Sequence, residues 1–271
     1  MFILHIGLPK TGTTSLQDFL KTEQSITYLG KFTNSELKKN DKIAEIIRSL
    51  LYNKNKNYFR NILKKHKFNF DKTKNYFYSE EDILTFYSKI PLNEKLKRLK
   101  YFLSFYRIRN YKILITERKP LNLIMSQITE EIIHFKYKKN INFNSLLNDP
   151  RIFEYINFKK EISKYFPKKN LLFLKYEKFI MNKKYDELKK LLNIKKINLP
   201  YKNKSKKIKF KNFHVFFSKV QIRNNLKILY YSKNLSKFLN NLIFTLRHLV
   251  IILTKQEYKK LEKIYEKKIK S

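Results

Sequence analysis

Only three glycines occur in this chain of 271 residues, and two of them, Gly7 and Gly12, bracket one short loop. Glycine permits tight turns and lets a ligand approach the peptide groups closely, so its clustering here marks backbone with a special task. The run before the loop, Phe2-Ile3-Leu4-His5-Ile6, reads as a short buried strand, and Thr14-Ser15-Leu16-Gln17-Asp18-Phe19-Leu20 reads as the first turns of a helix. Strand, glycine loop and helix in that order present backbone N–H groups and a helix N-terminus to an anion, usually a phosphate.

The loop departs from the nucleoside-triphosphate pattern G-x-x-x-x-G-K-[ST] in one respect. Its glycine spacing fits, but Thr13 stands where that pattern has lysine, and the loop's lysine, Lys10, lies two residues before Gly12. The string Pro9-Lys10-Thr11-Gly12-Thr13-Thr14-Ser15-Leu16 resembles the 5′-phosphosulfate loop of sulfotransferases that use 3′-phosphoadenosine 5′-phosphosulfate (PAPS), bacterial members above all. The resemblance implies PAPS as sulfuryl donor, no metal, and contacts to it from Pro9, Lys10, Thr11, Gly12, Thr13, Thr14 and Ser15. It also implies that Lys10 stabilises the departing 5′-phosphate.

A PAPS user needs a second anion site for the ribose 3′-phosphate. The apolar run Lys112-Ile113-Leu114-Ile115-Thr116-Glu117 reads as a strand leading to Arg118-Lys119-Pro120 and a helix. Arg118 and Ser126 resemble the family's R-x-P-x(5)-S element, and a guanidinium suits the role because its planar fork can hold two phosphate oxygens. The stretch Phe166 to Phe179 resembles the family's later strand ending in Tyr-Glu; Tyr176 is read either as lying along the adenine or as a half-buried strand-end tyrosine. Glu177 is expected to cap the helix that follows. After a strand at Tyr76-Phe77-Tyr78, Ser79-Glu80-Glu81-Asp82 resembles the Ser-x-Glu element of bacterial and Golgi-type carbohydrate sulfotransferases. That places Glu81, with Glu80 as alternative, as the general base, while the competing reading is acids at a helix N-terminus. His5 is expected to be a packed core histidine.

Helical periodicity marks Ser35 to Tyr52, Asn57 to Lys67, Leu92 to Arg107, Phe143 to Tyr165 with a break at Pro150, and Lys255 to Lys270. Strands alternating with helices predict an α/β fold: a P-loop-like parallel β-sheet flanked by helices on both faces, with a helical C-terminal extension. The resemblance covers 1–205, expected to be the PAPS-binding core; 206–271 is the lysine-rich extension, expected to pack on it. Lys202 to Lys207 is expected to be a solvated loop. Phe238 to Leu253 is apolar but shorter than the roughly 20 residues of a membrane span, so it is read as a buried helix or as one touching a membrane surface or partner.

The formal charge of +39 invites a nucleic-acid reading. Lysine, asparagine, isoleucine, tyrosine and phenylalanine are abundant together while Ala44 is the only alanine, a pattern of codon bias, and the lysines are spread along the chain; no nucleic-acid partner is expected. With no cysteine and no secretory lead-in, a cytoplasmic, metal-free enzyme is expected, with a membrane-peripheral variant. The resemblance implies sulfuryl transfer to a hydroxyl of a glycan or glycolipid acceptor. The alternatives are a P-loop kinase or ATPase, and a non-enzymatic polyanion binder.

Overall fold

A short apolar run buried on both faces is what a central strand of a parallel sheet requires, and Phe2–His5 (β1) meets that requirement with all four residues buried. The structure is a computed structural model describing residues 1–8, 11–30, 42–84, 90–124, 126, 143–148, 151–199, 206–209, 213–217 and 252–270. It divides into two units, Met1–Lys119 with Asn157–Lys202, and Pro120–Ile156 with Asn203–Ser271.

In the first unit β1 is followed by α1 (Thr13–Thr22), β2 (Thr27–Tyr28), α2 (Lys42–Tyr52), α3 (Lys56–Lys65), β3 (Tyr76–Ser79), α4 (Leu92–Phe105) and β4 (Tyr111–Glu117). After the helix Arg151–Tyr165 comes β5 (Leu171–Lys175), a π-helical turn Glu177–Met181 and the helix Asp186–Leu192. The five strands form one all-parallel sheet in the order β2-β3-β1-β4-β5, with flanking helices, as the alternating pattern predicts. The chain leaves β1 toward β2 on one side and leaves β4 toward β5 on the other. The reversal falls between β1 and β4, where open α/β sheets leave a crevice beyond the carboxyl ends of the strands. At that end lie Gly7, Gly12 and Arg118.

Ile3, Leu16, Leu20, Phe77, Leu114, Leu174, Phe179 and Leu188 share one core cluster, so α1 is held to the sheet by Leu16 and Leu20, one helical turn apart. Each such leucine contributes about 2 kcal/mol through burial. Arg98 of α4, only 5% exposed, does a different job. Its Nη1 donates to the carbonyls of Asn53 at 2.6 Å and of Ser49 and Leu50 at 3.3 Å, while its Nε meets Glu94 at 3.0 Å. Those carbonyls lie in the last turn of α2 and just beyond it, where backbone acceptors run short of helical donors, so one guanidinium closes the helix. Replacing Arg98 by alanine orphans these groups, and the protein should lose about 3 kcal/mol of stability, read as a lower urea midpoint. An unchanged midpoint would contradict this capping role.

The second unit contains helical backbone at 120–124 and the helix Phe143–Leu147; Pro150, where the sequence predicts a break, falls between it and Arg151–Tyr165. The C-terminal helix is present at Lys255–Lys270. Tyr258 donates to the Asn122 side chain at 2.8 Å and Tyr265 to the Leu146 carbonyl, tying this helix to its own unit. Between these elements lie β6 (Lys206–Lys209), β7 (Phe213–Phe217) and β8 (Ile252–Thr254), an antiparallel sheet in that order. Two expectations change here. Lys206 and Lys207, read as part of a solvated loop, belong to β6, and the end of the apolar stretch Phe238 to Leu253 is strand rather than helix, because pairing with β7 supplies its backbone partners. The rest of that stretch lies outside the described residues. No helix among the described residues is long and apolar enough to cross a membrane.

Candidate anion-binding site

The segment leaving β1 is bound directly to β4. Ile6 N–H donates to the Leu114 carbonyl at 2.9 Å and Leu8 N–H to the Thr116 carbonyl at 3.1 Å. Pro9 and Lys10 lie outside the described residues. Thr11 is fully buried, its hydroxyl donating to the Leu8 carbonyl at 2.5 Å. Gly12 then takes φ 82°, a left-handed conformation that glycine adopts without strain, and α1 begins at Thr13.

The start of α1 has no side-chain cap and no acidic residue in its first turn. α3 differs, since Asn55 accepts from the N–H groups of Asn57 and Tyr58 there. An uncapped N-terminus keeps its partial positive charge and its donors for another acceptor. Thr14 is exposed at this end, whereas Thr13 and Ser15 are buried.

Arg118 follows β4 by one residue, and its guanidinium lies over the ring of Tyr176 at 4.7 Å. The same ring reaches the loop: a Cβ on Gly12 would lie 3.3 Å from Tyr176 Cδ2 and 2.6 Å from Ile180 Cγ1. Tyr176 therefore touches both the residue proposed for one phosphate and the glycine at the edge of the other. Glu177, expected to cap its own helix, instead accepts from Lys119 N–H at 2.9 Å across the sheet end, joining the turns after β4 and β5. Beside them the buried Glu117 pairs with Lys159 at 2.5 Å.

Beneath the loop runs a buried polar chain that the sequence does not announce. Gln17 Nε2 donates to Ser79 Oγ at 2.9 Å, Ser79 Oγ meets His5 Nδ1 at 2.9 Å, and His5 Nε2 meets Thr116 Oγ1 at 3.1 Å. Thr116 Oγ1 lies 2.6 Å from Thr11 Oγ1, which closes the chain onto the loop. His5 is a buried core histidine as expected, and burial pushes its pKa down to about 3. Gln17 and Thr116 carry no motif; the one sequence signal is a threonine within the otherwise apolar run Ile113-Leu114-Ile115.

Glu80 is buried beside this chain, its N–H donating to the His5 carbonyl at 2.8 Å, and Glu81 is half-buried at the start of the 3-10 turn Glu81–Ile83. Ser126 is half-buried on helical backbone of the second unit. The first unit thus gathers Thr11, Gly12, the start of α1, Arg118 and Tyr176 at the carboxyl end of the sheet.

No protein-family model and no curated protein sequence matches this chain. Among solved structures it is similar to the mouse sulfotransferase SULT7A1 complexed with PAP, at TM-score 0.41 and 14% identity over 73% of this chain and 59% of that one. It is similar, too, to a sulfotransferase from Alicyclobacillus acidocaldarius, at TM-score 0.45 and 12% identity over 73% of this chain and 83% of that one.

Proposed function

We propose that this chain is a PAPS-dependent sulfotransferase acting on a hydroxyl of a carbohydrate or glycolipid. The observation that carries the reading is the pairing of an uncapped helix start behind the glycine loop with an arginine at the neighbouring strand end, bridged by Tyr176. Two cationic turns at one sheet end suit a ligand with two separated phosphates, and a triphosphate would make no such demand on Arg118. Ser126 joins Arg118 in this role on the strength of the sequence motif.

PAPS supplies the sulfuryl group. Glu81, with Glu80 as the alternative, accepts the acceptor's hydroxyl proton while that oxygen bonds to sulfur and the bond from sulfur to the 5′-phosphate oxygen breaks. Lys10 and the N–H groups at the loop and the start of α1 take up the negative charge that grows on the leaving phosphate. The acceptor class rests on the likeness of Ser79-Glu80-Glu81 to the carbohydrate-acting members of the family. With an arginine over its ring, Tyr176 orients Arg118 whether or not it also meets the adenine.

Calorimetric titration with 3′,5′-adenosine bisphosphate (PAP) and with magnesium-ATP tests the proposal. Tight binding is expected for PAP alone, and Arg118→Ala should weaken it by about 10- to 100-fold, the range for a charge-assisted phosphate contact. Equal or tighter binding of ATP would overturn the assignment in favour of a kinase or ATPase. Insensitivity to Arg118→Ala would point to diffuse attraction by the chain's positive charge.

A further inference from the structure

We infer that Thr116, oriented through His5, is a positioning residue that locks the glycine loop to the turn carrying Arg118 and so fixes the spacing between the two anion sites. The inference rests on the sulfotransferase reading for its ligand, but its geometry stands apart from it.

Hydrogen-bond direction along the buried chain follows from chemistry alone. A carbonyl only accepts, so Thr11 Oγ1 donates to the Leu8 carbonyl. With its proton committed there, Thr11 accepts from Thr116 Oγ1. Thr116 in turn has no proton left for His5, so His5 Nε2 must be the protonated nitrogen and donate to Thr116. Burial keeps His5 neutral, which leaves Nδ1 as an acceptor for the Ser79 hydroxyl, and Ser79 accepts from Gln17. Every donor from α1 to the loop therefore points the same way. Only one tautomer of His5 satisfies the chain, which ends on Thr11 and the Leu8 carbonyl.

Thr116 holds the loop twice. Its carbonyl accepts Leu8 N–H and its hydroxyl binds Thr11, the residues that flank Pro9-Lys10. It also lies on β4, two residues before Arg118, which begins the turn after that strand. A ligand with one phosphate needs only one of these turns in place. A ligand that bridges both gains from their fixed separation, because the second contact then forms without further ordering of the protein. Gly7 lies directly over this junction: a Cβ there would stand 2.0 Å from Thr116 Oγ1.

The test compares PAP with adenosine 5′-monophosphate (AMP) on the wild-type protein, Thr116→Val and Thr116→Ser. Valine keeps the shape and loses the hydroxyl; serine keeps the hydroxyl. Thr116→Val should lose about tenfold in PAP affinity and no more than about threefold in AMP affinity, while Thr116→Ser should keep the wild-type ratio. A wild-type ratio in Thr116→Val, or a loss in Thr116→Ser equal to that in Thr116→Val, overturns the inference. A wild-type protein that does not prefer PAP to AMP refutes the sulfotransferase reading instead. In that event nitrogen-15 NMR of wild-type His5, which needs no variant and no ligand, still decides the relay. A proton on Nε2 is expected, and a proton on Nδ1 breaks it.

Discussion

Alanine at position 7 should dismantle the loop although it adds a single methyl group. Its Cβ would stand 2.0 Å from Thr116 Oγ1, 2.7 Å from His5 Nε2 and 2.9 Å from Thr13 Cγ2. None of these is the loose end of a flexible side chain. Thr116 and His5 are fully buried and hydrogen-bonded on both sides, and Thr13 opens α1. The backbone must move, and the buried chain then loses partners that no water can replace. The expected loss is about 3 kcal/mol of stability, from overpacking together with broken buried hydrogen bonds. PAP affinity should fall by about 100-fold or more, since the proposed 5′-phosphate contacts come from this loop. Chemical unfolding and calorimetry read the two effects separately.

Gly12 makes a useful contrast. Alanine there must adopt φ 82° and meets Ile180 Cγ1 at 2.6 Å, but its neighbours are the apolar Ile180 and the Tyr176 ring, so the buried hydrogen-bonded chain is not hit directly. Its left-handed backbone costs about 1–2 kcal/mol, to which the contact with the buried Ile180 adds. The double variant Gly7→Ala/Thr116→Ala should recover only part of the Gly7→Ala loss, because His5 Nε2 remains 2.7 Å away. Full recovery would mean that Thr116 alone sets the limit; wild-type behaviour of Gly7→Ala itself would refute the close approach.

What the sequence makes legible is what local chemistry decides. β1, β3, β4 and β5 fall within a residue or two of their apolar runs, because strands buried on both faces are continuous in sequence. The break at Pro150 and the start of α1 beside Gly12 are likewise local effects. The buried chain is of another kind. Its members Gln17, Ser79 and Thr116 come from three elements, and the register pairing His5 with Ser79 on one side and Leu114 on the other exists only in the assembled sheet. A threonine in an apolar run signals a buried hydroxyl but not its partner, 105 residues away in the case of Thr11. Glu177 was legible as an acid at a helix start, yet its acceptor role toward Lys119 depends on β4 and β5 being neighbours. β6, β7 and β8 escape for the same reason, since antiparallel partners distant in sequence decide them.

Acid should weaken the fold well before carboxylates begin to be protonated, and His5 is the reason. In the folded protein burial holds its pKa at about 3, against an ordinary value of 6.5. Between those values the unfolded chain binds a proton at this residue and the folded protein does not. Stability attributable to His5 is therefore complete above about pH 6.5 and falls as the pH drops toward 3, by up to about 1.4 kcal/mol per pH unit. From pH 6.5 to pH 5 this amounts to roughly 2 kcal/mol. Glu45, held below its ordinary value by Lys65 and His66, and Asp71, held down by Thr73, add their own losses only as the pH falls through the acidic carboxylate range. The window above pH 5 therefore separates His5 from them. His5→Asn removes the titration, so its stability should be lower at pH 7 yet nearly flat down to pH 5 relative to the wild type. Parallel pH profiles for the two proteins would show that His5 takes up its proton without unfolding. Protonation within the fold would also break the one-way chain, because an Nδ1 that carries a proton can no longer accept from Ser79. Because folded His5 stays neutral down to about pH 3, the chain remains intact while the unfolding midpoint falls from pH 6.5 to pH 5, and PAP affinity should not follow that midpoint.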